Sequence, residues 1–151
     1  KKDRNIVLIV VGEGELKNNY QKQAEVLGVD KNIIWVGLVE QQKLPDYYNL
    51  SDVFVLPSIA VEAFPVVVLE ASACAKPTVT TTLAGPAALV GQDGLIVPIN
   101  DPVALSQAND RLFENTDERK FLGESARTKV LANYSWPKII DRLVDYYQKI
   151  L

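Results

Sequence analysis

The feature that most constrains the fold of this sequence is the alternation of short β-branched apolar runs with segments of helical period. The first run, NIVLIVVG at residues 5–12, is almost free of polar residues and ends at a glycine, which is typical of a strand buried on both faces of a parallel sheet. The next segment, residues 14–28, places four apolar residues at helical spacing and ends at Gly28, as a helix with a glycine after its last turn would. The chain therefore begins with a strand followed by a helix.

The same alternation continues along the chain. Strands are predicted at residues 32–37, 52–58, 77–82 and 94–98, with helices at 42–51 and 64–75 and a helical turn near Ala87. From Asp101 onward the pattern is helical throughout. This order predicts an α/β fold: a doubly wound, parallel, Rossmann-like sheet of about five strands with helices on both faces and a helical C-terminal segment. With 151 residues, 48% of them hydrophobic, we expect a single domain, residues 1–151.

The helical C-terminal segment carries its own start signals. Asp101 followed by Pro102 predicts one helix start, and Asp117 and Ser135 predict two more. The last helix has an apolar stripe, formed by Ile139, Ile140, Leu143, Val144, Tyr147 and Ile150. We expect this stripe to cover the domain's own sheet; if it were exposed instead, it would favour a dimer through this helix.

The residue types that are missing exclude several chemistries. There is no histidine and one cysteine, Cys74, so no Ser-His-Asp triad, Cys-His pair, histidine metal site or cysteine zinc cluster can form. Any chemistry must use carboxylates, lysines, hydroxyls and backbone amides. No Asp-x-Asp pair is present to hold a bridging cation, so we expect no metal and no cofactor.

Charge and hydropathy bear on partners and location. The net charge is −3 without a polybasic run, which argues against nucleic acid as a partner. No apolar run approaches the roughly 20 residues that span a bilayer, the N-terminus KKDRN is not a signal peptide, and a lone cysteine fits a reducing compartment. We expect a cytoplasmic protein, whose parent enzyme could lie at the membrane periphery. Since methionine is absent, we also expect a piece of a longer protein or an altered sequence.

In sheets of this kind, ligands bind at the carboxyl ends of the strands. The loops expected there are residues 12–15, 37–40, 58–65, 82–88 and 91–94. The first contains VGEGEL, which lacks the third glycine of the dinucleotide-binding fingerprint. It fits a simple tight turn as well as a binding loop.

One loop and the helix after it carry two acids in an apolar setting, SIAVEAFPVVVLEASACAKP at residues 58–77. With a helix from about Phe64, Glu62 lies just before the helix and Glu70 about two turns along it. Both carboxylates can then face one crevice. An ionised carboxylate at Glu70 is costly on so apolar a helix unless a ligand or partner satisfies it. The alternative is that Glu62 caps the helix and Glu70 is paired internally.

The segment LPSIAVEAFPVVVLEASACAKPTV resembles the E-x7-E signature of retaining, family-4 type glycosyltransferases of GT-B fold. The flanking segments IVLIVVGEGEL, NIIWVGLV, DGLIVPINDPVAL and YSWPKIIDRLVDYY are similar to the same family. The resemblance implies the C-terminal half of a two-domain enzyme, binding a nucleotide-diphospho-sugar, with the N-terminal acceptor domain missing from this chain. It implies retaining transfer of a hexose to a hydroxyl group.

The resemblance also implies roles for individual residues. Glu62 would be the catalytic-site acid that approaches the donor sugar's hydroxyls, and Glu70 would accept hydrogen bonds from the ribose hydroxyls. The amides of Ala63 and Phe64 would face the sugar and the diphosphate, and Leu38 and Val39 would lie at the base. The glycines of two neighbouring loops, Gly12 and Gly85, would complete the donor site.

The sequence departs from the family pattern at several positions. The family's extra strand, with an arginine and a lysine that neutralise the diphosphate, would stand before this chain begins. Ala84 and Ala88 replace a glycine and a glutamate, and Ala63 and Ala75 stand where glycine is common. Without the extra strand, the five predicted strands could close into a flavodoxin-like order 2-1-3-4-5.

Two other functions therefore stay open. One is a non-catalytic, truncated or engineered scaffold derived from the family. The other is a flavodoxin-like binding or phosphoacceptor module, which is disfavoured because no acidic cluster is visible at the strand ends, although Asp52 and Lys76 are present.

Overall fold

The computed structural model describes residues 6–60 and 62–150, and the chain divides into two compact units, Lys1–Leu44 and Pro45–Leu151. We refer to them as the first and the second unit and describe each by itself. The single-domain organisation expected from composition stays a prediction.

The first unit is one strand–helix–strand repeat. Its elements are β1 (Leu8–Val11), α1 (Lys17–Val26) and β2 (Ile33–Gly37), with short 3-10 turns at Asp30–Asn32 and Gln41–Lys43. The two strands pair in parallel, from Leu8 opposite Ile33 to Val11 opposite Gly37, with a shift in register after Val10. Both strands end at the same edge, so the loops that follow them, at Gly12 and Leu38, lie at the carboxyl end of this pair.

The second unit contains a three-stranded parallel sheet and six helices. Its elements are α2 (Leu44–Leu50), β3 (Phe54–Leu56), α3 (Val66–Ala73), β4 (Thr78–Thr81), α4 (Ala84–Val90), β5 (Gly94–Val97), α5 (Pro102–Glu114), α6 (Thr116–Asn133) and α7 (Trp136–Ile150). The strand order is β3-β4-β5. All four residues of the central strand β4 are buried, as expected for a strand paired on both sides and covered by helices.

The core of the second unit consists of two hydrophobic clusters. One joins Val79 and Val97 of the sheet to α5 and α6 through Ala108, Leu112 and Leu122. The other joins α3 and α4 through Val68, Leu89 and Val90. The elements that carry Glu62 and Glu70 are thus built onto the better-packed part of the chain.

The predicted α/β arrangement of parallel strands and helices with a helical C-terminal segment is confirmed, but not the single strand order. The described strands form two hydrogen-bonded sheets, β1-β2 and β3-β4-β5, instead of one sheet of order 2-1-3-4-5.

Two predicted helix starts were misplaced. Asp101 caps α5, since its Oδ1 accepts from the Ala104 amide at 2.8 Å, but α6 is capped by Asn115, whose Oδ1 accepts from the Glu118 amide at 3.0 Å, and not by Asp117. Helix α3 begins at Val66 and not near Phe64, because Pro65 itself has an extended conformation, with φ −72° and ψ 101°.

The expectation for the last helix was wrong. None of the described residues of α7 is buried, and the stripe expected to cover the sheet is 36% to 63% exposed, from Ile139 to Ile150. A dimer through this helix stays a prediction. No helix in the described parts of the chain is long and apolar enough to cross a membrane.

Candidate functional site

Glu62 lies in the loop between β3 and α3, and the loop is tied to the sheet below it. Ser58 donates from its hydroxyl to Oε2 of Glu62 at 2.7 Å. The carbonyl oxygen of Ser58 accepts in turn from the Thr81 hydroxyl at 2.7 Å. Because Thr81 is the last residue of the buried strand β4, the sheet fixes the first residue of this loop and, through Ser58, the half-buried carboxylate of Glu62.

Helix α4 packs directly against the same loop, and Gly85 makes this possible. A Cβ atom on Gly85 would overlap the backbone carbonyl oxygens of Glu62 and Ala63. A side chain at position 85 would therefore push the loop away from α4. Gly85 is not among the residues with positive φ. A glycine is therefore required here because the two backbones approach closely and not because of its conformational freedom.

Between the loop and α4 lies a pocket of about 540 Å³. Its walls are residues 62–64, residues 83–85 with Ala88 and Leu89, and Tyr134 after the end of α6. Glu62 is the charged residue among these lining residues, and the rest of the wall is largely apolar. The rings of Phe64 and Tyr134 lie with their centroids 6.2 Å apart on one side.

Glu70 is held differently, by a buried tyrosine. The Tyr48 hydroxyl donates to Oε2 of Glu70 at 2.8 Å, and Tyr48 is only 9% exposed. Its ring packs edge-on against Phe54, with centroids 5.6 Å apart. Burial, together with the hydrogen bond to Glu70, raises the pKa of Tyr48 well above its ordinary range, so the phenol stays protonated and donates.

The contact of Tyr48 with Glu70 was not predicted from the sequence. The contact joins residues 22 positions apart, on α2 and α3, and no local spacing signals a pair at that separation. An available hint was the cost of an unpaired carboxylate on an apolar helix, which required some donor. The alternative that Glu70 is internally paired is what the structure shows.

The two acids do not share the pocket. Glu62 lines it, and Glu70 is not among its lining residues. Because α3 begins at Val66, Glu70 is the fifth residue of the helix, little more than one turn from its start instead of two. The amides of Ala63 and Phe64, predicted at the helix start, belong to the preceding loop.

In the first unit, two glycines meet where β1 and β2 end. The Gly12 amide donates to the Gly37 carbonyl at 2.8 Å, and the two residues have φ of 124° and 84°, which favour glycine. Glu13 lies over Gly37 and pairs with Lys17 at 2.6 Å. The Gly12–Gly37 bond continues the pairing of β1 with β2, and a binding role for Gly12 stays a prediction.

The loop after β2 is the other predicted contact of the first unit. Leu38 is 82% exposed and Val39 is half-buried. Both side chains are therefore presented at the carboxyl end of β2, and contact with a base stays a prediction.

The departures from the family pattern have unequal consequences. Ala75 has φ 55°, whereas Ala63 is not among the non-glycine residues with positive φ. Only Ala75 is therefore strained by lacking a glycine's freedom. Within residues 6–60 and 62–150, no group of three or more cysteine, aspartate or glutamate side chains could hold a metal ion.

The family is decided by the match of the sequence as a whole. Residues 1–129 match the profile of the family Glycosyl transferases group 1. The chain belongs to this family. The chain is 33% identical over 132 residues to a D-inositol 3-phosphate glycosyltransferase of Corynebacterium urealyticum, covering 86% of this chain and 31% of that protein. An uncharacterized glycosyltransferase of Methanocaldococcus jannaschii is 27% identical over 146 residues, covering 95% and 37%.

Solved structures agree on the fold. The sucrose-phosphate synthase of Thermosynechococcus elongatus superposes with a TM-score of 0.84 at 25% identity, over 95% of this chain and 38% of that one. The Anabaena protein HepE, in complex with UDP-glucose, gives 0.85 at 20% identity, over 95% and 41%. The chain thus spans well under half the length of the proteins it matches.

Proposed function

We propose that this chain is the donor-binding part of a retaining group 1 glycosyltransferase: it binds a nucleotide-diphospho-sugar whose hexose is transferred to a hydroxyl acceptor. The observation that carries the proposal is the single carboxylate, Glu62, in the wall of an otherwise uncharged pocket. Membership of the family and the resemblance of the segment around Glu62 and Glu70 to the E-x7-E signature support it.

The pocket suits a sugar in size and chemistry. Its volume of about 540 Å³ lies within the range of roughly 300–1,000 Å³ common for small-molecule sites. A hexose offers hydroxyl donors along its edge and a weakly polar C–H face. A carboxylate accepts strongly from hydroxyls, and Ser58 holds one oxygen of Glu62, which leaves the other for the ligand. The C–H face would lie on the apolar wall near Phe64.

Other residues have proposed roles that follow from the resemblance. Glu70 accepts from the ribose, Ala63 and Phe64 present amides to the sugar and diphosphate, and Leu38 and Val39 contact the base. Gly85 acts by keeping α4 close enough to form the pocket wall, and Gly12 by shaping its turn.

Turnover is proposed to need a further domain. The described lining residues include no lysine or arginine, so the wall around Glu62 does not supply the charge that stabilises a diphosphate leaving group. The chain covers 31% to 40% of the length of the curated relatives. We propose that the acceptor site lies on another domain and that this chain alone binds the donor without transferring the sugar.

A non-catalytic scaffold is the second candidate. It is favoured by the absence of lysine and arginine from the residues that line the pocket and by the strained Ala75. A scaffold of this kind would keep the fold and bind no nucleotide.

Calorimetric titration with UDP, GDP and ADP, and then with the matching nucleotide-glucose, separates the two candidates. We expect one nucleotide to bind and its glucose conjugate to bind more tightly. Glu62→Gln should remove most of that extra affinity, about 10-fold for one lost charged hydrogen bond, and leave the affinity for the free nucleotide unchanged.

Glu124→Gln is the matched control, because Glu124 is an exposed acid on α6 away from the pocket. If the folded chain binds none of the three nucleotides, the donor-binding proposal is wrong and the scaffold stands. If Glu62→Gln keeps the sugar's contribution, Glu62 does not contact the sugar.

A further inference from the structure

Tyr48 is a buried residue with a polar hydroxyl to which the proposed site assigns no role. Its hydroxyl donates to Oε2 of Glu70 at 2.8 Å, and it is the donor that the described residues supply to this carboxylate. Because Tyr48 as a residue is only 9% exposed, a hydroxyl without a hydrogen-bond partner there would lower the stability of the protein. The bond to Glu70 meets that need, but it also fixes the carboxylate.

The Tyr48 ring is held on a second side. Phe54 packs edge-on against it at 5.6 Å and 75°, and the Phe54 amide donates to the Pro77 carbonyl at 3.0 Å, which anchors that ring to the sheet. The Ser51 hydroxyl donates to the Tyr48 carbonyl at 2.9 Å and closes the end of α2. Tyr48 therefore occupies a defined position before any ligand binds.

The bond from Tyr48 restricts the orientation of the Glu70 carboxylate. One carboxylate oxygen is engaged by a buried donor, while the residue as a whole is half-buried. The other oxygen remains as an acceptor with a fixed direction. A group held in its bound geometry in advance binds more tightly, because less side-chain freedom is lost on binding.

We propose that Tyr48 is a positioning residue for nucleotide recognition: by fixing one oxygen of Glu70, it aims the other at a ribose hydroxyl and thereby favours ribonucleotides over deoxyribonucleotides. The proposal rests on the proposed function, since it concerns the ligand of Glu70. Tyr48 does not touch the nucleotide in this scheme and acts only through Glu70.

The test compares two affinities within each variant. The nucleoside diphosphate that binds most tightly among UDP, GDP and ADP is titrated beside its 2′-deoxy and 3′-deoxy forms. We expect wild type to favour the ribo form over at least one deoxy form by about 10-fold, and Tyr48→Phe to reduce this ratio to about 3-fold or less. A general loss of stability lowers all the affinities together and leaves their ratio unchanged.

Two further variants bracket the result. Tyr47→Phe removes a neighbouring phenol on the same helix and should leave the ratio at its wild-type value. Glu70→Gln should abolish the preference, and adding Tyr48→Phe to it should change nothing more, because Tyr48 acts through Glu70. If Tyr48→Phe does not fold, Phe54→Leu loosens the ring while keeping the hydroxyl and should lower the ratio part of the way.

The outcomes separate the two proposals. Nucleotide binding with an unchanged ribo-to-deoxy ratio in Tyr48→Phe, or in Phe54→Leu where that variant replaces it, overturns the positioning role and leaves the proposed function standing. A folded chain that binds no nucleoside diphosphate overturns both.

Discussion

The two acids of the segment 58–77 are eight residues apart in sequence, yet they are held by opposite means. Glu70 lies on a helix packed into a hydrophobic cluster and is bonded to a buried phenol from a different helix. Glu62 lies in a loop and is bonded to a hydroxyl four residues before it. Tertiary packing therefore places one carboxylate, and local loop geometry places the other.

Because of this difference, we expect replacement of the two acids to affect different properties of the protein, its stability and its ligand binding. Replacing Glu70 disturbs a buried partner, whereas replacing Glu62 disturbs a half-exposed one that water can satisfy. Changes near Glu70 should therefore appear in the free energy of unfolding, and changes near Glu62 chiefly in ligand affinity. The position of the Glu62 loop is the exception, because it depends on the close approach of α4.

The largest expected effect on stability comes from the close approach of α4 to the Glu62 loop. Gly85→Ala would place a Cβ against the carbonyl oxygens of Glu62 and Ala63, so the loop or α4 must move. We expect a loss of about 3 kcal/mol in the free energy of unfolding, at the upper end for overpacking because backbone atoms are involved. Urea denaturation measures it. Gly14→Ala is the control, since no atom lies within 4 Å of its added Cβ, and an equal loss there would contradict the explanation.

Next in size is the direct comparison of the acids. Glu70→Ala leaves the Tyr48 hydroxyl buried without an acceptor, which costs about 2 kcal/mol, while Glu62→Ala should change stability by no more than about 0.5 kcal/mol. Both values come from urea denaturation at neutral pH. Equal losses in the two variants would show that packing does not distinguish the two carboxylates.

The phenol of Tyr48 predicts a loss of stability at alkaline pH. Its pKa is raised in the folded chain by burial and by Glu70, so above about pH 10 the unfolded chain has released this proton while the folded chain retains it. Stability should then fall by about 1.4 kcal/mol for each pH unit above 10 from this group. Unfolding of Tyr48→Phe, measured in parallel between pH 8 and 11, should show a slope smaller by that amount. Identical slopes would contradict the burial of the hydroxyl.

The smallest expected effect is a gain in stability from a substitution at Ala75. Ala75 has φ 55° after the end of α3, a conformation that disfavours a side chain with Cβ. Ala75→Gly should stabilise the second unit by about 0.5–1 kcal/mol, since relief of strain exceeds the greater freedom of glycine in the unfolded chain. Asn100→Gly is the comparison: Asn100 has φ 57°, but asparagine tolerates this region, so its gain should be smaller. Thermal unfolding resolves the two.

Much of the fold could be predicted from local patterns. The five strands were predicted because each is a short β-branched run between turn residues, and the ends moved by only a few residues. The start of α3 was misplaced because a proline does not fix which residue begins a helix: α2 and α7 begin at the residue before a proline, whereas α3 begins at the residue after Pro65. Asn115 was overlooked in favour of Asp117, although both residues are good helix caps.

What could not be predicted depends on contacts far apart in sequence. The strands form two hydrogen-bonded sheets, and no local sequence pattern indicates which strands pair with each other. The Tyr48–Glu70 bond and the approach of Gly85 to the Glu62 loop are likewise tertiary. The exposure of α7 was missed because an apolar stripe predicts that a helix has a partner but not where that partner lies.

The hydroxyl bonds from β4 to the last residue of β3 and to Ser58 after it have a consequence for the timescale on which this region opens. Thr80 and Thr81 donate to the carbonyls of Leu56 and Ser58 at 2.9 and 2.7 Å, so these hydroxyl bonds reach the Glu62 loop only at Ser58. Amide protons of β4, buried between two strands, should exchange with solvent only when the second unit unfolds. Those of Ala63 and Phe64 should exchange through local opening, orders of magnitude sooner. The exchange rates of the β4 amides can thus serve as an internal reference. Any slowing of amide exchange at the loop by a bound sugar can be measured against them in the same sample.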